Sequence, residues 1–366
     1  METINFNWKQ IPPIPPKPGD SAQPGLAGPI TGSLGNYLMV AGGANFKNSL
    51  PWTGGIKEYH DDIYLLKRSS REAFTWEVSA VKLPLRLAYA ASVQTPDGVV
   101  GIGGENASGP LKDVFLFSYS AGHININKLP DLPTATSSGG AACIGSKIFM
   151  AGGLDLNGGS VNFFCLDMKI TEGGWKRLPD LPVAVSHAVV VAQDDGTGPC
   201  IYVIGGRNKT GKISEFQTKV WKYALNTGNW TTESDILMDG KPVGLSAGTG
   251  IAAGRNSIIL FGGDKGLIFN ETEKLNIAIE KAEGDEKRIL IKRKDSALTN
   301  HPGFNRGIMV YNTISKTWNR AGEIPSEGPV TTTAVSWDGL VMLPSGEIRP
   351  GIRTPVVLGA EISISK

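Results

Sequence analysis

"SKIFMAGG", residues 146–153, is a short apolar run that follows Gly145 and ends in a Gly-Gly pair. The same plan recurs in "NYLMVAGG" (36–43), "GVVGIGG" (98–104), "CIYVIGG" (200–206) and "SIILFGG" (257–263). Apolar runs of this length, bounded by turn residues, read as buried β-strands that end in a sharp turn. A second apolar run follows each pair and carries an aromatic: Tyr64, Phe115, Phe164, Tyr223 and Tyr311. Then comes a tryptophan and a proline break: Trp76 before "KLP", Trp175 before "RLPDLP", Trp230 before "ILMDGKP" and Trp318 before "GEIPSEGP". In the second repeat His123-Ile124 replaces the tryptophan, while "KLPDLP" is intact.

Strand, aromatic and tryptophan in one order over successive units resemble the kelch repeat, whose period is about 50 residues with four strands per propeller blade. Five Gly-Gly strands and "WDGLVMLPSGE" (337–347) give six blades. The sixth has a third strand at "TPVVLG" but no tryptophan strand after it. "INFNWKQIPPIPP" (4–16) has the missing pattern, Trp8 and a proline-rich exit. The expected fold is therefore an all-β, six-bladed propeller over residues 1–366, its last blade completed by Ile4–Lys9. Such closure removes the open edges a linear array would expose. One charged segment, about 264–305, breaks the period. Its helix formers with apolar residues near helical spacing predict a helical insertion, over or beside the mouth of the propeller, because insertions in repeats tend to lie on the binding face.

Composition narrows the function. The net charge of +2 gives no global pull toward nucleic acid or an anionic membrane. The three cysteines and four histidines show no metal-ligand spacing, so no metal and no cofactor are expected. No apolar run has the length of a membrane-spanning helix, and the N-terminal stretch has neither the basic nor the apolar part of a signal peptide.

A propeller gathers the segments after the glycine pairs and the links between blades on one face. Candidate binding residues there are Asn45, Phe46, Lys47, Glu105, Asn106, Arg207 and Lys265 from the first set, with Arg86 and Tyr89 from the second. His187 is expected to pack beneath the mouth or to bond a backbone carbonyl. In "LPSGEIRPGIRT" (343–354) Glu347 reads as standing where the second glycine should be, with Arg349 and Arg353 close by to pair with it. A charge among apolar strands needs partners.

"GEIRPGIRT" (346–354) resembles the Gly-Glu-x-Lys/Arg-Pro-Gly-x-Arg-Thr motif of the bacterial sialic acid mutarotases, the N-acetylneuraminate epimerases. "AGGANFKNS" (41–49) and "RLAYAAS…GIGGENASG" (86–109) are similar to further segments of that family. The order differs from the usual one, because here the Glu347 motif comes last, as in a circular permutation of the blades. The link "PVAVSHA" (182–188) lacks the charges the family has there. The resemblance implies an isomerase that interconverts the anomers of N-acetylneuraminate or a related acidic sugar. It also implies Glu347 and Arg353 as the acid/base pair and a periplasmic location. A planar guanidinium suits the carboxylate of such a substrate, with Arg349, Arg353 and Arg86 as candidates, and a monomer or homodimer is expected. The alternative is a non-catalytic kelch propeller that binds a carbohydrate or protein partner. A sialidase is disfavoured by the lack of Asp-box repeats, and a copper oxidase by its need for paired histidines.

Overall fold

Six four-stranded antiparallel sheets make up the computed structural model, which describes residues 3–209 and 211–365; the Met1 end of the expected domain lies outside them. In each of the first five blades the strands follow chain order. In the first they are Ile30–Leu34, Tyr37–Ala41, Ile63–Ser70 and Ala73–Val78. The sixth runs Val335–Trp337, Leu340–Pro344 and Val357–Ser365, and its outermost strand is Thr3–Lys9 from the start of the chain. Thr3 opposes Ser365 and Lys9 opposes Gly359, so the ring is closed by a seven-residue strand. The expected closure is what the structure shows.

The repeat signature has a packing cause. Both glycines of each pair lie in the left-handed region, for example Gly103 at φ 63° and Gly104 at φ 103°. A Cβ on Gly103 would lie 2.2 Å from the Thr136 carbonyl of the neighbouring blade's entry, and one on Gly205 would lie 2.3 Å from that of Leu245. The second glycine's N–H reaches across to the next blade, as from Gly104 to the Thr136 carbonyl at 2.9 Å. Glycine is needed for both conformation and contact. The tryptophans join the outer edges. The indole N–H groups of Trp76, Trp175 and Trp230 donate to the carbonyls of Pro12, Pro130 and Pro179, each at 2.9 Å. Apolar clusters fill the spaces between adjacent blades, with Tyr64, Tyr202, Tyr311 and Trp337 fully buried in them.

The charged insertion forms two helices, α1 (Leu267–Lys281) and α2 (Gly284–Thr299). Glu273, on α1, is buried and accepts from Lys209 at 2.7 Å and from the Ser214 hydroxyl at 3.1 Å, which ties the insertion to the fourth blade.

Candidate functional site

Two stacked rings of residues line the mouth. The lower ring holds one residue from each blade entry: Gly28, Tyr89, Ser138, His187, Ala247 and Thr331. Their backbones form a closed circle of hydrogen bonds. Tyr89 donates to Gly28, Ser138 to Tyr89, His187 to Ser138, Ala247 to His187, Thr331 to Ala247 and Gly28 to Thr331, at 2.7–3.0 Å. All six have φ between 53° and 63°. That conformation is costly for large side chains, and four positions are filled by glycine, alanine, serine or threonine. Tyr89 and His187 are the exceptions. Gly28 makes room for one of them, since a Cβ there would sit 2.5 Å from the Tyr89 ring.

The upper ring is the residue after each turn: Ala44, Glu105, Leu154, Arg207, Asp264 and Glu347. Each is paired with the residue preceding the lower ring, Ala27, Ala88, Ser137, Ser186, Ser246 and Val330 respectively. This corrects the reading of Glu347. It does not replace a glycine. The glycine pair of the sixth blade is Ser345-Gly346, at φ 61° and 120°, and Glu347 is the equivalent of Glu105 and Arg207. Ser345 keeps the strained turn because its hydroxyl accepts from the Leu26 amide at 2.8 Å and donates to the Thr354 carbonyl at 2.7 Å.

Both rings and the insertion enclose a cavity of about 410 Å³. Ile268, Phe269 and Thr272 of α1, Leu298 of α2, and His301 and Phe304 beyond it form its far wall. A narrower space of about 110 Å³ runs along the axis below, lined mainly by small side chains of the innermost strands. The upper cavity collects the charged groups.

On one side of it, Glu347 faces Arg353 across the hairpin formed by Glu347–Arg349 and Ile352–Arg353, in which the two residues are register partners. The Arg353 Nη1 lies 3.5 Å from Glu347 Oε1, which also accepts from the Gly351 amide at 2.8 Å. Arg353 is only 8 % exposed. Its guanidinium stacks on Phe46, 4.6 Å from the ring centre, and is near enough to the Tyr89 hydroxyl to act on its ionisation. Burial raises the Tyr89 phenol above its ordinary value, so that group stays protonated, although Lys57 and Arg353 work in the opposite sense. Beside them, Glu105 accepts from Tyr59 at 2.9 Å, Lys57 at 3.3 Å and Ser137 at 3.1 Å. Burial opposes the charge on Lys57, but Tyr89 and Glu105 outweigh it and its pKa is raised.

On the other side, Arg207 lies 3.3 Å from the Nε2 of His187 and over the face of Phe269 at 4.6 Å. Burial, aided by Arg207, pushes His187 well below the usual histidine value.

The remaining expected residues are placed differently. Arg349 does not pair with Glu347. It bonds Glu327 at 2.9 Å, because the turn at Pro350-Gly351 sends the two arginines to opposite sides. Arg86 is exposed and faces Asp61 at 3.4 Å, Lys47 faces Asp20 at 3.2 Å, and Lys265 is exposed. Asn45 is buried and donates to the Gly25 carbonyl at 2.9 Å, and Asn106 caps its own turn by accepting from the Ser108 amide at 2.8 Å. His187 bonds a hydroxyl and a guanidinium rather than a backbone carbonyl.

The sequence model of the N-acetylneuraminate epimerase family matches residues 1–126 and 129–365. The chain belongs to the N-acetylneuraminate epimerase family. It is 29% identical over 235 residues to an N-acetylneuraminate epimerase of Salmonella enteritidis PT4 (strain P125109), covering 63% of this chain and 58% of that protein. It is 26% identical over 240 residues to one of Haemophilus influenzae (strain 86-028NP), covering 65% and 60%. The matches thus span somewhat over half the length of these relatives. A solved structure described as "Structure of YjhT" superposes with a TM-score of 0.62 over 97% of this chain and 99% of that one, at 14% identity. That likeness is one of fold.

Against this family background, the site residues that the sequence did not single out are Lys57, His301, Phe269 and Phe304. Lys57 lies on the return strand of the first blade's small hairpin, paired with Phe46, and that return strand leaves no glycine mark. The other three come from the insertion, whose helical spacing gave the helices but not the side that turns to the cavity.

Proposed function

We propose that this protein is a mutarotase that interconverts the α and β anomers of N-acetylneuraminate or a related acidic sugar. The observation that carries the reading is Glu347, which lines a partly capped cavity and is backed by Arg353. Ring opening needs a base for the anomeric hydroxyl and an acid for the ring oxygen. Glu347 Oε1 is held by Gly351 and Arg353, while Oε2 has no hydrogen bond among the described residues and is available to take the proton. As the bond between the anomeric carbon and the ring oxygen breaks, its electron pair goes to the oxygen. The Tyr89 hydroxyl, kept protonated by burial, can supply the proton there. Arg353 steadies the Glu347 carboxylate and offsets negative charge as it develops. Rotation about the opened carbon and reversal of both transfers give the other anomer.

The blade order supports a circularly permuted, kelch-type relative of the longer family members. The match to a longer family member covers about two thirds of the chain, while the fold superposes over nearly all of it. Closed rings accommodate such permutation because blade neighbours are unchanged. By the same resemblance we assign the protein to the periplasm. The direct assay is NMR of freshly dissolved N-acetylneuraminate. Faster approach to the equilibrium anomer ratio than in buffer alone supports the reading, and an unchanged rate rejects it.

A further inference from the structure

Arg207 is a cation without an anion. It occupies the upper ring on the fourth blade, faces the cavity and is pressed into apolar surroundings that lower its pKa despite the pull of nearby carboxylates. Two of those carboxylates are engaged by other donors. Asp264 Oδ1 accepts from the Gly266 amide at 2.9 Å, just before α1, while Glu273 is held by Lys209 and Ser214. Among the described residues Arg207 forms no ion pair. A half-buried guanidinium left unpaired carries a cost that an arriving anion would offset.

What it does have is support. An arginine N–H can only donate, so the His187 Nε2, 3.3 Å away, must present its lone pair. The proton is then on Nδ1, which faces the Ser186 hydroxyl at 3.0 Å. On its other side the guanidinium lies on Phe269, which is held edge-on by Phe216 at 5.7 Å. Phe216 is in turn the strand partner of Arg207. Gly266 lets the helix start this close, since a Cβ there would be 2.5 Å from the Phe216 ring. The cation is thus fixed before any ligand binds. The Glu347 carboxylate is near enough to act on its charge. Arg353, the other guanidinium by Glu347, is already paired with it and stacked behind it.

We propose that Arg207 anchors the carboxylate of the substrate, with His187 as its positioning residue, so that the site takes sugar acids and rejects their neutral counterparts. The identity of the sugar rests on the mutarotase reading; the anchoring does not. A guanidinium meets a carboxylate through two parallel hydrogen bonds. On a sialic acid the carboxylate is attached to the reacting carbon, so this grip from the fourth blade would present the anomeric hydroxyl to Glu347 on the sixth.

The test is calorimetric titration of N-acetylneuraminate and its neutral methyl ester into the full chain, as wild type and as four variants whose folding is checked by thermal melting. The wild type should prefer the acid by about 10- to 100-fold, the worth of charge-assisted hydrogen bonds. Arg207→Met should erase that preference by weakening the acid alone, and Arg207→Lys, which keeps charge without the fork, should fall between. His187→Gln, which keeps an acceptor, should retain most of the preference, and His187→Phe should lose it, with KM moving more than kcat. Equal binding of acid and ester by the wild type, binding of neither, or a preference that survives Arg207→Met overturns the assignment. Binding through Arg207 without anomer exchange would sink the mutarotase reading and leave the anchor standing. Exchange with an Arg207→Met KM equal to that of wild type would do the reverse.

Discussion

Ser345 shows what one residue carries. Its backbone adopts the left-handed turn that glycine serves in the other five blades, and its side chain is fully buried. The hydroxyl offsets the strain by bonding both Leu26 and Thr354. Ser345→Ala should cost about 1–3 kcal/mol, because it leaves buried backbone groups unsatisfied, as a denaturant melt would measure. Gly103→Ala should cost more than a typical point change of about 1 kcal/mol, since the added carbon would meet the Thr136 carbonyl at 2.2 Å. Stability unaffected by Gly103→Ala would contradict the account of the glycine pair. The glycine turns and the pairing of Arg353 with Glu347 were legible in the sequence, because each has a chemical reason visible in its neighbours. The register of Glu347 was not. The substitution of glycine by Ser345 is compensated by a hydroxyl contact to Leu26, which is remote in sequence. The place of Arg207 was half legible: its position after Gly205-Gly206 was readable, its lack of an ion-pair partner among the described residues was not.

At the scale of elements, the insertion turns a shallow mouth into a walled cavity. Its attachment depends on Glu273. Burial opposes ionisation there, yet Lys209 and Ser214 outweigh it and hold the carboxyl below its ordinary value. A group whose pKa is lower folded than unfolded stabilises the fold above its unfolded value, about 4.3 for glutamate, and that contribution is lost as the pH falls through the lowered value. Docking of α1 should therefore weaken below about pH 4. Hydrogen exchange should show protection of residues 267–281 falling there before that of the propeller strands, and Glu273→Gln should flatten this pH dependence. If α1 and the strands lose protection together in both proteins, Glu273 is not the attachment. The helices were readable from composition and spacing. The way Phe269 and Phe304 turn toward the cavity depends on docking against Phe216 and the rings, which no local pattern encodes.

At the scale of the whole molecule, closure and site are linked. The strand Thr3–Lys9 pairs along its full length with Val357–Ser365, the strand that follows the Glu347–Arg353 hairpin. Removal of residues 3–9 should lower the melting temperature and expose an unpaired edge that promotes association, visible by light scattering. A truncated chain that melts and scatters like the intact one would contradict closure by this strand. Closure was legible because Trp8 and its proline exit repeat the end of four of the other five units, so the ring could be completed on paper. The stacked rings at its mouth arise only when six blades meet. There, single residues far apart in sequence, Tyr89 and Glu105, His187 and Arg207, Arg353 and Glu347, become one site. The central claim is that Glu347 moves the proton in anomer exchange. NMR exchange rates of N-acetylneuraminate with equal amounts of folded wild type and Glu347→Gln test it most directly. The account predicts a rate about 10²- to 10⁴-fold lower for the variant, and equal rates for the two proteins would contradict it.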